Sequence, residues 1–532
     1  MKEKIKRIII TLLFTIVFYY IVLPPINLKS MEFYSFIFIV NVVYILTGVT
    51  EIRSILKNSE IIKIKNAPKK MLYFIFAYLG IIGIILVVNL VISPIFNSKS
   101  WASRITINED NEFTTDINEV DFDKLPLLDK LSSQKLGDRV MGEMPELVSQ
   151  FYVSNLYTQI NYNEKIVRVT PLEYNGFIKY LNNYKDGVKG YIIVNSVSGE
   201  TELVKLDKGM KYMDSAYFFK NLDRHIRIKY PTIIFGNKSF EIDNEGNPYW
   251  VIQTIRYGGI ETKKEISGVV LVNAITGDTE KYLIEDIPTW IDQVYNASLI
   301  IEQVDDWGQY QRGYLNSIFT QNGVVQTTEG YNYTVMNDDV YLYTGITSVA
   351  NDESNIGFIM TNLRTKETNF YQVPGAEEYS AMASAEGQVQ QMKYNASFPL
   401  LINVNGRATY LMSLKDSAGL VKMYAFVDVK DYQKVVVTDS SLGIKEAYNN
   451  YVNNVNLIID SDNMKEKEIV INKIKDVIID GNTYYYITDI DNQKYKVSIK
   501  VNQDLLPYLD EGSKIVVSYI SEKEIIEIKK IR

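Results

Sequence analysis

One stretch is written three times in this chain. Residues 190–206 read GYIIVNSVSGETELVKL, residues 268–284 read GVVLVNAITGDTEKYLI, and residues 357–373 read GFIMTNLRTKETNFYQV. Each copy runs from an apolar strand into Asn, then a short polar turn, then a second alternating strand, which is the pattern of a β-hairpin. Repetition at this scale, in a chain of 532 residues that is too long for one core, points to several small similar units.

The surroundings of the copies repeat as well. Ala216 to Tyr230 has apolar residues at helical spacing and stops at Pro231, and Phe240 to Ile255 reads strand, turn, strand before the second copy. Ala376 to Met392 is again helical, Phe398 to Leu414 is a hairpin turning at Asn405-Gly406, and Val421 to Val437 supplies more strand. Leu172 to Tyr184 reads as a helix leading into the first copy. Helix followed by antiparallel sheet is an α+β layer, with the apolar helix face covering the sheet. The last segment is different: three strands, a short helix at Gln503 to Leu509 and two further strands, the order of an OB-like five-stranded barrel.

Three apolar runs precede all of this: Ile8 to Leu23, Phe33 to Val49 and Met71 to Phe96. Their lengths are those of bilayer-crossing helices. Lys2, Lys4, Lys6 and Arg7 precede the first run, and Arg53, Lys57, Lys63, Lys65, Lys69 and Lys70 lie between the second and third, so the positive-inside rule puts both segments in the cytoplasm. Residues 97–532 are then extracytoplasmic, on a multi-pass plasma-membrane protein. Asn41, Asn89, Gly80 and Gly83 are expected at contacts between the spans.

NPYWVIQTI followed by GVVLVNAITGDTEKYLI resembles a PepSY-type module, and spans followed by such repeats resemble membrane-anchored envelope proteins of Gram-positive bacteria. The resemblance implies regulatory or binding units of the kind found in peptidase propeptides and envelope proteins. The expected organisation is a three-helix transmembrane anchor at 1–96, an irregular extracellular stalk at 97–140, and modules 1 and 2 at 141–287. An aromatic-rich segment with module 3 follows at 288–375, module 4 at 376–440, a linker at 441–464 and the OB-like barrel at 465–532.

Charge and residue types narrow the chemistry. Residues 1–70 carry 11 Lys/Arg against 4 Asp/Glu and the remainder carries 45 against 60, a sign opposed to nucleic-acid binding. Cysteine is absent, which excludes disulfides and thiol nucleophiles. His225 is the single histidine, so no HExxH zinc site or Ser-His triad can be assembled. Ser132 to Lys135 fits SxxK by chance, and Asp243 to Glu245 and Asp460 to Asn463 read as turns rather than calcium loops.

Trp290, Asp305, Asp306, Trp307, Tyr310 and Tyr314 form the one candidate ligand groove, because rings beside carboxylates suit a peptide or a sugar; a buried inter-domain helix needs the same rings, and core or interface packing is the commoner use of large aromatics. The expectation is a protein of the cell envelope that is not an enzyme, without catalytic residues, cofactor or metal, engaging an envelope protein or wall polymer. The alternative is a carboxylate-dependent envelope hydrolase with its cleft near 288–319.

Overall fold

The computed structural model describes residues 2–47, 67–336, 339–349, 351–454, 465–479, 482–519 and 525–530. The basic residues at 51–66, the acids at 460–463 and the expected turn at Asp480-Gly481 lie outside the described residues. The chain is α+β, divided into two compact units, Met1–Val435 and Val436–Arg532.

The first unit begins with the apolar helices α1 (Lys2–Val22), α2 (Met31–Leu46) and α3 (Ala67–Ile92). Two of them contain stretches long and apolar enough to cross a membrane, Ile5–Val22 and Tyr73–Ile92. The third, α2, has 16 residues, which at the helical rise is about 24 Å and shorter than a usual crossing. Rings join the helices, with Phe18 stacked on Phe36 at 5.4 Å and Phe38 on Phe74 at 5.5 Å.

The polar groups expected between these helices are used otherwise. Asn41 donates to the Ile37 carbonyl of its own helix (2.9 Å), and a Cβ on Gly80 or Gly83 would meet nothing within 4 Å. Asn89 pairs with the backbone of Ile260, donating to its carbonyl and accepting from its N–H, both at 2.9 Å. A side-chain amide matches a peptide group donor for acceptor, so one residue satisfies both polar atoms at this point.

Residues 97–140, expected as an irregular stalk, are largely built into the body. They contain the end of α4 (Pro94–Ala102), strand β1 (Ile107–Asn111) and α5 (Lys130–Gly142), the last capped by Asp129 accepting from Ser132 N (2.9 Å). Polarity suggested solvent. Instead the polar side chains find distant partners: the buried Arg104 meets Glu265 (3.0 Å), Glu302 (2.6 Å) and Asp306, while Asp129 meets Lys415 (2.6 Å).

Three sheets follow. The first contains β2 (Phe151–Val153), β3 (Thr158–Tyr162), β4 (Lys165–Tyr174), β5 (Val188–Asn195) and β6 (Thr201–Met210), with helix α6 (Phe177–Asn183) between β4 and β5. The helix expected from Leu172 thus starts later, because Leu172 and Tyr174 are buried as the end of a strand. After α7 (Leu222–Lys229), capped by Asn221, the second sheet is a meander of β7 (Ile234–Ile242), β8 (Pro248–Tyr257), β9 (Lys264–Asn273) and β10 (Thr279–Leu283). Helix α8 (Ala297–Tyr310) leads to the third sheet, with β11 (Val325–Thr327), β12 (Asn332–Met336), β13 (Asp339–Ser348), β14 (Asn351–Asn362) and β15 (Thr368–Tyr371); β1 joins it in parallel beside β15. The Asn405-Gly406 hairpin pairs Leu400–Val404 with Arg407–Lys415 in a further sheet.

The central strands of the second sheet, β8 and β9, are buried on both faces over most of their length. Phe240, Trp250, Ile252, Val270 and Val272 join the core of the first sheet, whereas Val251, Ile266, Val269 and Leu271 join a core with α8 and the third sheet. Alternate residues of one strand therefore serve two cores, which is why these strands read as continuous apolar runs.

The three written copies share one turn. Asn195, Asn273 and Asn362 each use Oδ1 to accept two successive backbone N–H groups, at 2.9–3.0 Å, and each main-chain oxygen accepts from the residue four positions on, at 2.9 Å. That fourth position is left-handed in every copy: Gly199 (φ +76°), Gly277 (φ +80°) and Lys366 (φ +67°). Lys366 accepts this backbone while its Nζ bonds the Arg104 carbonyl (2.6 Å) and lies 3.6 Å from Glu265.

In the second unit the expected linker contains a helix, Ile444–Asn454, that buries Ala447 and Tyr451. The 15-residue strand Lys465–Ile479 pairs through its first half with Lys514–Tyr519 and through its second with Asn482–Asp489. Lys494–Ser498 and Ile525–Lys530 complete a five-stranded order at the two ends. The helix expected at 503–509 is a single 3-10 turn, Leu506–Tyr508.

The left-handed glycines are not equivalent. Gly199→Ala meets Leu128 Cδ1 at 3.4 Å and Leu136 Cδ1 at 3.8 Å, ordinary contacts, whereas at Gly277 a Cβ would overlap the Tyr212 ring. Thermal unfolding should show a loss of about 1–2 kcal/mol for Gly199→Ala, from backbone conformation alone, and a larger loss for Gly277→Ala. Equal losses would contradict the packing described.

Candidate functional site

The β3–β4 hairpin turns through Asn163 (φ +51°) and Glu164 (φ +63°), a two-residue loop in which both residues are left-handed. The loop fixes the register, pairing Tyr162 with Lys165 and Gln159 with Arg168. Directly opposed residues on neighbouring strands project from the same face. The Gln159 and Arg168 side chains therefore leave the sheet together.

They enter a cavity of about 450 Å³. Its other walls are Asn237 and Lys238 of β7, Gln253 of β8, the Gln293–Asn296 segment, Tyr331, Tyr333 and Phe398. A bulge in β7 between Phe235 and Lys238 shapes this wall; Gly236 leaves room for Gln253, whose Oε1 accepts from Asn237 N (3.1 Å). β3 pairs with β4 alone and β7 with β8 alone, so two terminal strands flank the space.

Several polar atoms here have no partner among the described residues. Arg168 is 7 % exposed and Gln159 3 %. The Nε of Arg168, both amide atoms of Gln159, the Tyr157 hydroxyl and Asn296 Oδ1 are buried and unbonded. Burial pushes the Arg168 pKa down to about 10, opposed by Tyr333 and Asp129, so the guanidinium is still charged at neutral pH. The carboxylate that acts on it is tied elsewhere. Asp129 pairs with Lys415 at 2.6 Å; burial raises its pKa, and the bonds from Lys415 and Ser132 more than offset this and hold it below the usual range. Lys238 is held by Asp214 (2.5 Å) and Asp223 (3.0 Å). A buried cation without its own anion is among the least favourable arrangements a core can hold, and unbonded buried amides add to it.

The six residues of the expected groove are not gathered round this cavity. Trp290 packs on Tyr249 at 5.3 Å, Tyr310 stacks with Tyr314 at 6.3 Å, and Trp307 is half-buried beside the core of α8. Asp305 accepts from Thr327 N (2.8 Å), and burial raises its pKa. Asp306 faces Arg104; burial pushes its pKa up to about 6 against the opposing pull of that guanidinium. The two acids thus have separate partners on different elements.

Other singled-out residues have structural partners. His225 Nε2 donates to the Gly277 carbonyl (2.7 Å), joining α7 to the repeated turn, and burial lowers its pKa. Ser132 Oγ accepts from Lys415 Nζ (2.9 Å). Asp243 accepts from the N–H groups of Glu245 (3.1 Å) and Asn247 (2.8 Å). Among the described residues no cluster of three or more His, Cys, Asp or Glu is placed to hold a metal ion. The signal that marks the cavity in the sequence is a lone arginine inside an apolar strand, between Val167 and Val169.

No family model matches this sequence, and no curated protein matches it. Solved structures that it matches include cobalt-substituted apocarotenoid oxygenase from Synechocystis and a tryptophan-to-alanine mutant of that enzyme. Each is 8% identical with a TM-score of 0.13, over 72% of this chain and 62% of theirs. The chain therefore spans about three fifths of the oxygenase length. The structures matched are enzymes, which stands against the expectation that this protein is not one. Likeness this slight carries no argument for oxygenase chemistry, substrate or cofactor.

Glu241 lies next to the cavity wall, fully buried, accepting from Ser239 Oγ (2.7 Å) and Asp292 N (2.9 Å). Burial pushes its pKa up to about 7 from an ordinary 4.5. The unfolded chain loses this proton first, so stability falls as pH rises from about 4.5 to about 7 and levels off above. Glu241→Gln should remove that slope. Its stability, read by thermal unfolding, should match the native chain near pH 4.5 and exceed it above pH 7, by about 3 kcal/mol; an advantage independent of pH would exclude this origin.

Proposed function

We propose that this chain is a membrane-anchored, extracytoplasmic binding or regulatory protein of the cell envelope that takes an anionic ligand in the cavity at Arg168. The observation that carries the reading is the buried guanidinium without a dedicated anion, beside unbonded amide and hydroxyl groups. Such groups are balanced when a ligand supplies the missing charge and hydrogen bonds. The ligand belongs to an envelope protein or a wall polymer.

Contacts between anchor and body support a multi-pass arrangement with the body outside. Arg227 Nε donates to the Leu23 carbonyl (2.9 Å), Ile26 N to Pro231 (2.7 Å) and Asn27 Nδ2 to Thr232 (3.0 Å). Met31 N donates to Glu261 (2.7 Å), beside the Asn89–Ile260 pair. The end of α1, the start of α2 and the end of α3 thus meet the same side of the second sheet. With α2 as a short third span, the basic 51–70 segment lies on the opposite, cytoplasmic side. The order of helix and four-stranded meander at 222–283 supports a PepSY-like module, and the strand order of the second unit supports an OB-like barrel.

Two measurements test this. The chain has no cysteine, so Ser198→Cys and Ser59→Cys give single labelling sites. A membrane-impermeant maleimide added to intact cells should label the first and spare the second, and the reverse pattern would overturn the orientation. Arg168→Met, which keeps an apolar stem, should raise the unfolding temperature of the ligand-free protein, by about 1–3 kcal/mol. A loss of stability would mean that the guanidinium serves the fold and not a ligand.

A further inference from the structure

Resting on that reading of the cavity, we infer that its ligand is a short peptide with a free carboxylate, the carboxylate on Arg168 and a peptide group on Gln159. Three observations lead there. The first is the mixture of unbonded atoms. Arg168 and the Gln159 Nε2 donate, but Gln159 Oε1 and Asn296 Oδ1 only accept. An anion made only of acceptors would satisfy the donors and leave two buried oxygens unbonded, and the one or two hydroxyls of a phosphate sit on the same small centre as its charge. The ligand must bring N–H or O–H groups together with its charge.

The second observation is the pairing of Gln159 with Arg168 on one face of the β3–β4 hairpin. A primary amide presents one donor edge and one acceptor edge in a plane, the complement of a peptide group, and a guanidinium fork matches a carboxylate in the same way. Asn89 already makes this two-point match with the Ile260 peptide elsewhere in the chain. Neighbouring positions on adjacent strands place the two recognition groups side by side, as peptide group and carboxylate are at a chain end.

The third is the frame. β3 and β7 are terminal strands of their sheets on two sides of the space. Their outer edges are already bonded, Asn161 N donating to Asp292 (2.7 Å), the Gln159 carbonyl accepting from Gln293 Nε2 (3.0 Å) and Phe240 N donating to Thr158 Oγ (3.3 Å), so a ligand here is held by side chains, with an apolar pocket beside them, and not as an added strand. Here Tyr295, Tyr331 and Phe398 line such a pocket. A volume of about 450 Å³ lies in the range that holds a drug-sized molecule. A sugar acid would satisfy charge and hydroxyl pairing but brings no peptide group to match the Gln159 amide.

The test uses the full-length protein in nanodiscs and isothermal titration calorimetry. The probes are alanine tripeptides with a free C-terminal carboxylate, the same tripeptides amidated, an amidated tripeptide with one glutamate side chain, glucuronic acid and inorganic phosphate. The free-carboxylate peptide should bind at least about tenfold more tightly than its amide, the usual scale of a hydrogen-bonded charge; the glutamate arm tells a chain end from an acidic side chain. Arg168→Gln should abolish the preference for the free carboxylate. Gln159→Leu should weaken both tripeptides while keeping the preference, and thermal unfolding of each variant checks that it folds. Tighter binding of phosphate or glucuronic acid than of any peptide, lost in Arg168→Gln, would overturn the peptide assignment and keep the anion site. Absence of heat from every probe, or binding untouched by Arg168→Gln, would overturn both.

Discussion

The central strands β8 and β9 of the second sheet have no polar face to give to water, and the body of the first unit depends on that constraint. Trp250 and Ile252 face one core while Val251 between them faces another, and Val269 to Val272 alternate in the same way. Each of these side chains contributes about 1.5–3 kcal/mol when removed from water. A strand with two apolar faces is stable only between two partners, so the first sheet on one side and α8 with the third sheet on the other are obligatory neighbours. The units read in the sequence as a row of similar modules are therefore joined through shared cores.

Charge reinforces this joining where apolar contact is interrupted. Arg104 follows α4, Glu265 begins β9, Glu302 and Asp306 lie on α8, and Lys366 follows β14. Five groups from four regions of the chain form one network with Arg104 fully enclosed. Burial would lower the Arg104 pKa, but its bonds to Glu302 and Asp306 outweigh that and raise it. Removal of Arg104 leaves three acids facing Lys366 alone in a poorly hydrated place, the most damaging kind of electrostatic change.

Local rules were legible in the residues, and long-range pairing was not. The Asn and Gly of the repeated turns announce their backbone conformation, because an Asn side chain that accepts two N–H groups and a left-handed residue behind it are local geometry. Lys366 in the glycine position did not spoil the turn, since its side chain found Glu265 and the Arg104 carbonyl about 100 and 260 residues away. The supposed stalk failed as a reading for the same reason. Arg104 and Asp129 look solvated until partners from the far end of the sequence arrive. Arg168 was invisible as a site because Gln159, Asn296 and Phe398 become its neighbours only after three sheets assemble, while the conspicuous Trp290–Tyr314 segment was read from ring and acid content alone. The expectation against enzymatic activity rested on missing motifs, and motifs cover only chemistries whose residues lie close in sequence.

The β8–β9 hairpin has a consequence for mechanics. Its loop is gripped by Lys29 between α1 and α2, by Met31 of α2 and by Asn89 of α3, and a few residues along β8 Gln253 forms part of the cavity wall. At the rise of a strand, Gln253 and Gly258 are about 17 Å apart. A strand held by hydrogen bonds on both sides bends little over so short a span. It works as a strut, so an outward push on the wall would bear on the tops of α2 and α3 as a change of tilt.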